Sequence, residues 1–269
     1  MKAKKQKNKT LTREKLSKLI KKAQKSGNWS KVENANVSQI TDMSCLFYDI
    51  LGITNLDLSQ WDTSNVTNMS GMFSGTDFNS QINFDTSNVR TMKGMFLFSK
   101  YNQPLSLDTS NVRNMSWMFA LSEYNQLLDI DTSKVKNMAG MFQNSSFNQP
   151  LHFDTSNVRT MKGMFFQSKC NQSLSFDTSK VRNMSFMFAT SSHNQLLNFN
   201  TSNVRNMKSM FALSKYNQPL NFDTSNVKNM RGIFKGSPFD QDISDWVIKC
   251  NKNNQDVIKY RDEYLKRNK

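Results

Sequence analysis

One internal repeat dominates this chain, and its period never slips. The tripeptide Asp/Asn-Thr-Ser begins at Asp62, Asp85, Asp108, Asp131, Asp154, Asp177, Asn200 and Asp223, eight copies spaced 23 residues apart without insertion or deletion. A fixed period in this range is the signature of a solenoid, in which each repeat is one coil stacked on its neighbours. Such a body offers long surfaces rather than one enclosed pocket. The pattern therefore favours a binding or structural role over catalysis.

Aligning the copies exposes fixed columns. In the rung 85–107, Val89, Met92, Met95 and Phe96 fall at i, i+3, i+6 and i+7, one face of a short helix. Asp85-Thr86-Ser87 just before them supplies N-cap residues. After a loop, Leu105 and Leu107 flank Ser106, the alternation of a half-buried strand. The expected fold is an α/β repeat solenoid with 23 residues per turn, a short strand plus a short helix in each, and helical caps at both ends. Six or seven apolar positions per coil, each contributing roughly 1.5–3 kcal/mol on burial, drive the stacking. The doubled Met columns read as flexible core filler. The column Asn79, Asn102, Asn125, Asn148, Asn171, Asn194, Asn217 reads as a structural ladder that satisfies loop backbone.

A slower period overlies the first. Residues 85–153 and 154–222 match at 47 of 69 positions, whereas the neighbouring coils 85–107 and 108–130 match at 14 of 23. The array grew by copying three coils at once, which serves a repeated surface or mere length better than a unique active site.

The net charge of +15 is concentrated at the ends, with +11 in residues 1–31, +4 in residues 249–269 and none in between. Three segments follow: a basic N-terminal arm and capping helix over 1–31, a solenoid of about nine coils plus a partial one over 32–248, and a C-terminal capping helix over 249–269. Thr12 is placed as an N-cap, Leu16, Leu19, Ile20 and Ala23 make one apolar stripe, and Gly27 is a natural stop. The three cysteines, Cys45, Cys170 and Cys250, are too scattered for a disulfide framework. No run approaches the ~18 apolar residues of a membrane span. The start is positive but lacks the apolar stretch of a secretory signal, so a cytoplasmic or non-classically exported chain is expected.

The unit Asn-x-Ser-Asn-Val-x-Asn-Met-x-x-Met-Phe, followed by Ser-x-Phe/Tyr-Asn-Gln-Pro-Leu-x-Phe, resembles the repeat of the BspA-family leucine-rich repeat surface proteins. In particular it is similar to their mycoplasma-type branch of unknown function. The clearest stretches run from Trp61 through Asp62-Thr63-Ser64-Asn65-Val66 to Gly75, and from Phe239 to Trp246. The resemblance covers about residues 36–248. It implies a leucine-rich-repeat-like right-handed coil, a cell-surface location, and roles in adhesion or surface contact.

Three sets of residues are candidates for contact. Ser106, Asp129, His152, Ser175, Asn198 and Asn221 sit at the exposed strand position and would line a concave face for a protein or glycan partner. Arg90, Arg113, Lys136, Arg159, Arg182, Arg205 and Lys228 form a basic stripe along which a phosphate backbone or other polyanion could lie, unless the neighbouring Asp column balances it. Lys2, Lys4, Lys5, Lys7 and Lys9 form a basic arm able to touch a nucleic acid or another polyanion. Cys170 and His193 replace aromatics on adjacent coils, but a zinc site needs three or four protein ligands and the core reading wins. Phosphate-loop, calcium-loop and nucleophile-elbow motifs are absent from the sequence. The expectation is a monomeric, non-enzymatic interaction scaffold without cofactor or metal. The alternative is an intracellular protein that binds nucleic acid or another polyanion through its arm.

Overall fold

The structure is a computed structural model that describes residues 10–249 and 251–268. Three helices are present among them: α1 (Arg13–Ser26), α2 (Ser30–Glu33) and α3 (Gln255–Arg267). Everything between α2 and α3 is built from turns and isolated parallel bridges.

Successive repeats stack, and the backbone shows how. In the rung 85–107 the N–H groups of Met92, Gly94, Phe96 and Phe98 donate to Asn114, Ser116, Met118 and Ala120 of the next rung at 2.8–3.0 Å. The intervening N–H groups of Met95 and Leu97 turn back to Met92 and Gly94 in their own rung. This pattern recurs along the stack, and in this ladder the inter-rung N–H groups point toward the C-terminal end, whereas those of the Arg90 column point back to the preceding rung. Single bridges mark the register, from Asp42–Asn68 to Asn206–Asn229.

The expectation of an α/β solenoid with a strand and a helix in every turn is therefore corrected: no rung among the described residues contains either element. The helical spacing of Val89, Met92, Met95 and Phe96 is real, but their backbone is not helical. An α-helix needs i→i−4 bonds and negative φ throughout. Here alternate N–H groups leave for the next rung, and two positions per rung are left-handed, such as Gly94 (φ 59°) and Phe98 (φ 53°). The predicted strand fails for a different reason. Burial alternates over Leu105, Ser106 and Leu107, but Leu105–Leu128 is the only bridge in that column among the described residues. Prolines 104, 150 and 219 remove a donor beside it in three rungs.

The Asp-Thr-Ser tripeptide caps no helix. Asp85 Oδ1 accepts the Ser87 N–H two residues on, a local Asx turn, while the buried Thr86 hydroxyl donates to the Asp108 carbonyl of the next rung at 2.8 Å. Each Thr from Thr63 to Thr201 makes the same bond, and Thr224 donates to Val247 O at the end of the run. A second ladder runs through the loops, where Asn79 Oδ1 accepts the Asn102 N–H at 2.9 Å and each later Asn repeats the bond.

Inside this frame the core is continuous. Both Met columns are fully buried, from Met69 and Met72 to Met207 and Met210. Phe73, Phe96, Phe119, Phe142, Phe165, Phe188, Phe211 and Phe234 stack ring on ring at 5.6–6.0 Å. At the N-terminal end α1 lays Leu16, Ile20 and Ala23 on the first rung and Thr12 accepts the Lys15 N–H. Gly27 closes it in the left-handed conformation (φ 70°) that glycine adopts without strain. At the other end α3 buries Val257 and sets Tyr260 against Phe234 and Phe239.

Candidate functional site

The stack turns residue types 23 apart into columns, so the surface is best described column by column. The basic stripe is one of these. Arg113 donates its backbone N–H to Arg90 O at 2.9 Å, and Lys136, Arg159, Arg182, Arg205 and Lys228 each repeat the bond to the residue before. All seven side chains are exposed. Bridged parallel neighbours lie about 4.8 Å apart, so these cations form a close-set row.

Among the described residues that row makes no ion pair. The described residues make four ion pairs, three within α1 or α3 and one from Arg267 of α3 to Asp240, and none involves the stripe. Among the described residues the Asp column makes no ion pair with it. Hydrogen bonds from the Ser110 hydroxyl and N–H hold the Asp108 carboxyl below its ordinary range, with Lys134 a lesser influence. Asp177 is held down in the same way by Ser179, with Lys180 a lesser influence. Lys134 and Lys180 belong to the adjacent column, where their ammonium groups reach Asn111 Oδ1 and Asn157 Oδ1 at 2.9 Å. Between stripe and column lies a shallow hollow of about 160 Å3 lined by Asn88, Arg90, Asn111 and Arg113.

Ser106, Asp129, His152, Ser175, Asn198 and Asn221 are all exposed, each between two buried apolar side chains. They share a column but not a chemistry. Lys2, Lys4, Lys5, Lys7 and Lys9 lie outside the described residues.

Cys170 and His193 occupy one buried column with Phe147 and Tyr216 around them. The His193 ring stacks on Phe188 at 4.6 Å and on Tyr216 at 6.4 Å, and neither ring nitrogen has a hydrogen-bond partner among the described residues. Burial pulls its pKa from 6.5 to about 4, the Cys170 backbone only partly opposing this, and burial also pushes the Cys170 thiol up. Among the described residues no group of three or more His, Cys, Asp or Glu is placed to hold a metal ion.

Two surface features escaped the sequence. Trp117 lies across Gly140 with Lys93 above its ring at 5.2 Å, and three rungs on Phe186 carries Lys208 at 5.7 Å. The two rings are 69 residues apart, the three-coil period, but the lysines are not: Lys93 comes from the rung before Trp117 and Lys208 from the rung after Phe186. The second is a groove of about 830 Å3 between the last rung and α3, lined by Arg231, Phe234, Lys235, Lys252, Asp256 and Tyr260 among others. Only the pairing of α3 with the rung creates it.

Compared with known proteins, the chain matches one family model, described as "Mycoplasma protein of unknown function, DUF285". The match falls in three overlapping stretches, residues 14–129, 120–195 and 169–267. No curated protein and no solved structure matches the chain. No described helix is long and apolar enough to cross a membrane.

Proposed function

The chain belongs to this mycoplasma repeat family of unknown function, and from that premise we propose a non-enzymatic, monomeric scaffold that binds an extended anionic glycan along its basic stripe. The observation that carries this reading is the unbroken row from Arg90 to Lys228, held at rung spacing by its own backbone and free of ion pairs among the described residues. Five of the seven are arginines, whose planar forks suit carboxylate and sulfate groups. The Asn88 and Asn111 amides beside them each give one N–H to a Ser carbonyl of the preceding rung and keep the second for a sugar hydroxyl. Likeness to BspA-type repeat surface proteins supports adhesion or cell-surface contact as the setting.

The test is binding of a heparin oligosaccharide over a salt series, beside a single-stranded oligothymidylate of equal charge. The expected affinity falls steeply with salt, and Arg113→Glu, Arg159→Glu and Arg205→Glu together abolish it while the fold persists. Retained binding in that triple variant sinks the proposal. Preference for the oligonucleotide would point to the second reading, a nucleic-acid or polyanion binder. That reading draws on the Lys2–Lys9 arm and predicts that removing residues 1–31 ends binding. The varied column from Ser106 to Asn221 would then serve, under either reading, to discriminate among partners.

A further inference from the structure

The ladder through the Met92–Phe98 turns runs one way, and this leaves its donors open at the C-terminal end of the stack. In the rung before the last, Met207, Ser209, Phe211 and Leu213 send their N–H groups to Asn229, Arg231, Ile233 and Lys235. The last rung has four equivalent donors, on Met230, Gly232, Phe234 and Gly236, and no following rung to receive them. Side chains substitute at the first two. Asn254 Oδ1 accepts the Met230 N–H at 2.8 Å, and an Asp256 carboxylate oxygen accepts the Gly232 N–H. The N–H groups of Phe234 and Gly236 have no partner among the described residues.

Phe234 lines the groove between the last rung and α3, and Gly236 follows directly on its lining residue Lys235. Its lining carries Arg231, Lys235 and Lys252 against the single acid Asp256, so it is cationic where backbone N–H groups already create positive potential. Asp256 shows what such an edge accepts: an oxyanion in place of a rung carbonyl. We propose that the groove binds an extended acidic peptide, whose backbone carbonyls or carboxylates receive the Phe234 and Gly236 N–H groups and whose acidic side chains meet Lys235 and Lys252. Strand addition to an open edge is a general mode of peptide recognition.

A second copy of this chain is the obvious rival, because the first rung presents the complementary groups. The carbonyls of Leu46 and Tyr48 receive no hydrogen bond among the described residues. Charge decides against it. The first rung is covered by α1, which carries Arg13, Lys15, Lys18, Lys21, Lys22 and Lys25 against Glu14 alone, and it would bring those cations to a cationic groove.

The experiment uses the full chain and a fluorescein-labelled peptide of alternating Asp and Val, eight residues long by design, with a Lys/Val peptide as control. Anisotropy reads affinity, and hydrogen exchange reads the Phe234 and Gly236 amides. The expected result is saturable binding of the acidic peptide alone, slowed exchange at both amides, and at least tenfold weaker binding in the Lys235→Glu, Lys252→Glu double variant. Both lysines are exposed, and an unchanged unfolding midpoint confirms that the variant folds. The triple Arg→Glu variant of the basic stripe is expected to bind the peptide as before, which separates this site from the glycan proposal. Binding without protection of the two amides overturns the inference. So does no binding, or protection that appears with rising protein concentration and no peptide, which would identify a second copy as the occupant.

Discussion

His193 is a fully buried imidazole whose two nitrogens lack partners among the described residues, and that makes acid stability a quantitative test of the core. With its pKa lowered from 6.5 to about 4, the ring is neutral in the folded protein. The unfolded chain takes up a proton as pH drops below about 6.5, and the folded chain does so only near 4. Folding stability is therefore fully present above pH 6.5 and lost as pH falls from there toward 4. Linkage gives a loss of about 2 kcal/mol at pH 5 and a limit of roughly 3 kcal/mol at lower pH. His193→Phe puts an aromatic into a column that already holds Tyr216 and Phe239 and removes the titration. Urea unfolding of both proteins at pH 7.5, 6, 5 and 4.5 reads the difference. The stability gap should widen in favour of the variant by about 2 kcal/mol between pH 7.5 and 5. The depressed Asp carboxyls, such as Asp131 and Asp223, titrate below this window and are common to both proteins. A gap that stays constant with pH would refute the claim that His193 is buried and neutral.

Two further perturbations probe the stack itself. Phe142→Ala removes a ring packed between Phe119 at 5.9 Å and Phe165 at 5.7 Å, and calorimetry or urea unfolding should show a loss of about 3–5 kcal/mol. Gly140→Ala drives a Cβ into the Trp117 ring at Cδ1 and Nε1, at a φ of 62°. The backbone part should cost about 1–2 kcal/mol. A Trp117→Ala background should relieve the clash but not the backbone part, and a double-mutant cycle separates them.

How much of this was legible depends on what each column records. Burial was legible: Val89, Met92, Met95 and Phe96 are all inside, and the Asn ladder is present in the loops. Backbone conformation was not. A run of apolar residues at 3 and 4 spacing tells which side chains face inward, but turns that alternate with inter-rung bonds satisfy the same spacing. The contrary signal was the glycine at Gly71, Gly94, Gly140, Gly163 and Gly232, one column of positive φ that a helix interior does not call for. It was obscured because Trp117, Phe186 and Ser209 hold the same conformation without being glycine. Of the candidate surfaces, the stripe and the Ser106 column could be numbered from the period alone. The absence of ion pairs along the stripe required side-chain positions. The groove required more, since Asn254 and Asp256 lie outside the repeat yet act as the carbonyls of a missing rung.

The ladder also bears on how such a chain changes over generations. Each rung is hydrogen-bonded only to the one before and the one after, so nothing in a middle rung registers how many others there are. Unequal recombination between the two 69-residue blocks, which match at 47 of 69 positions, adds or removes three rungs and leaves α1 and α3 as they were. The basic row lengthens or shortens in the same step, by about 4.8 Å per rung. Reach, and with it the length of partner that can be spanned, is thus open to selection independently of the fold.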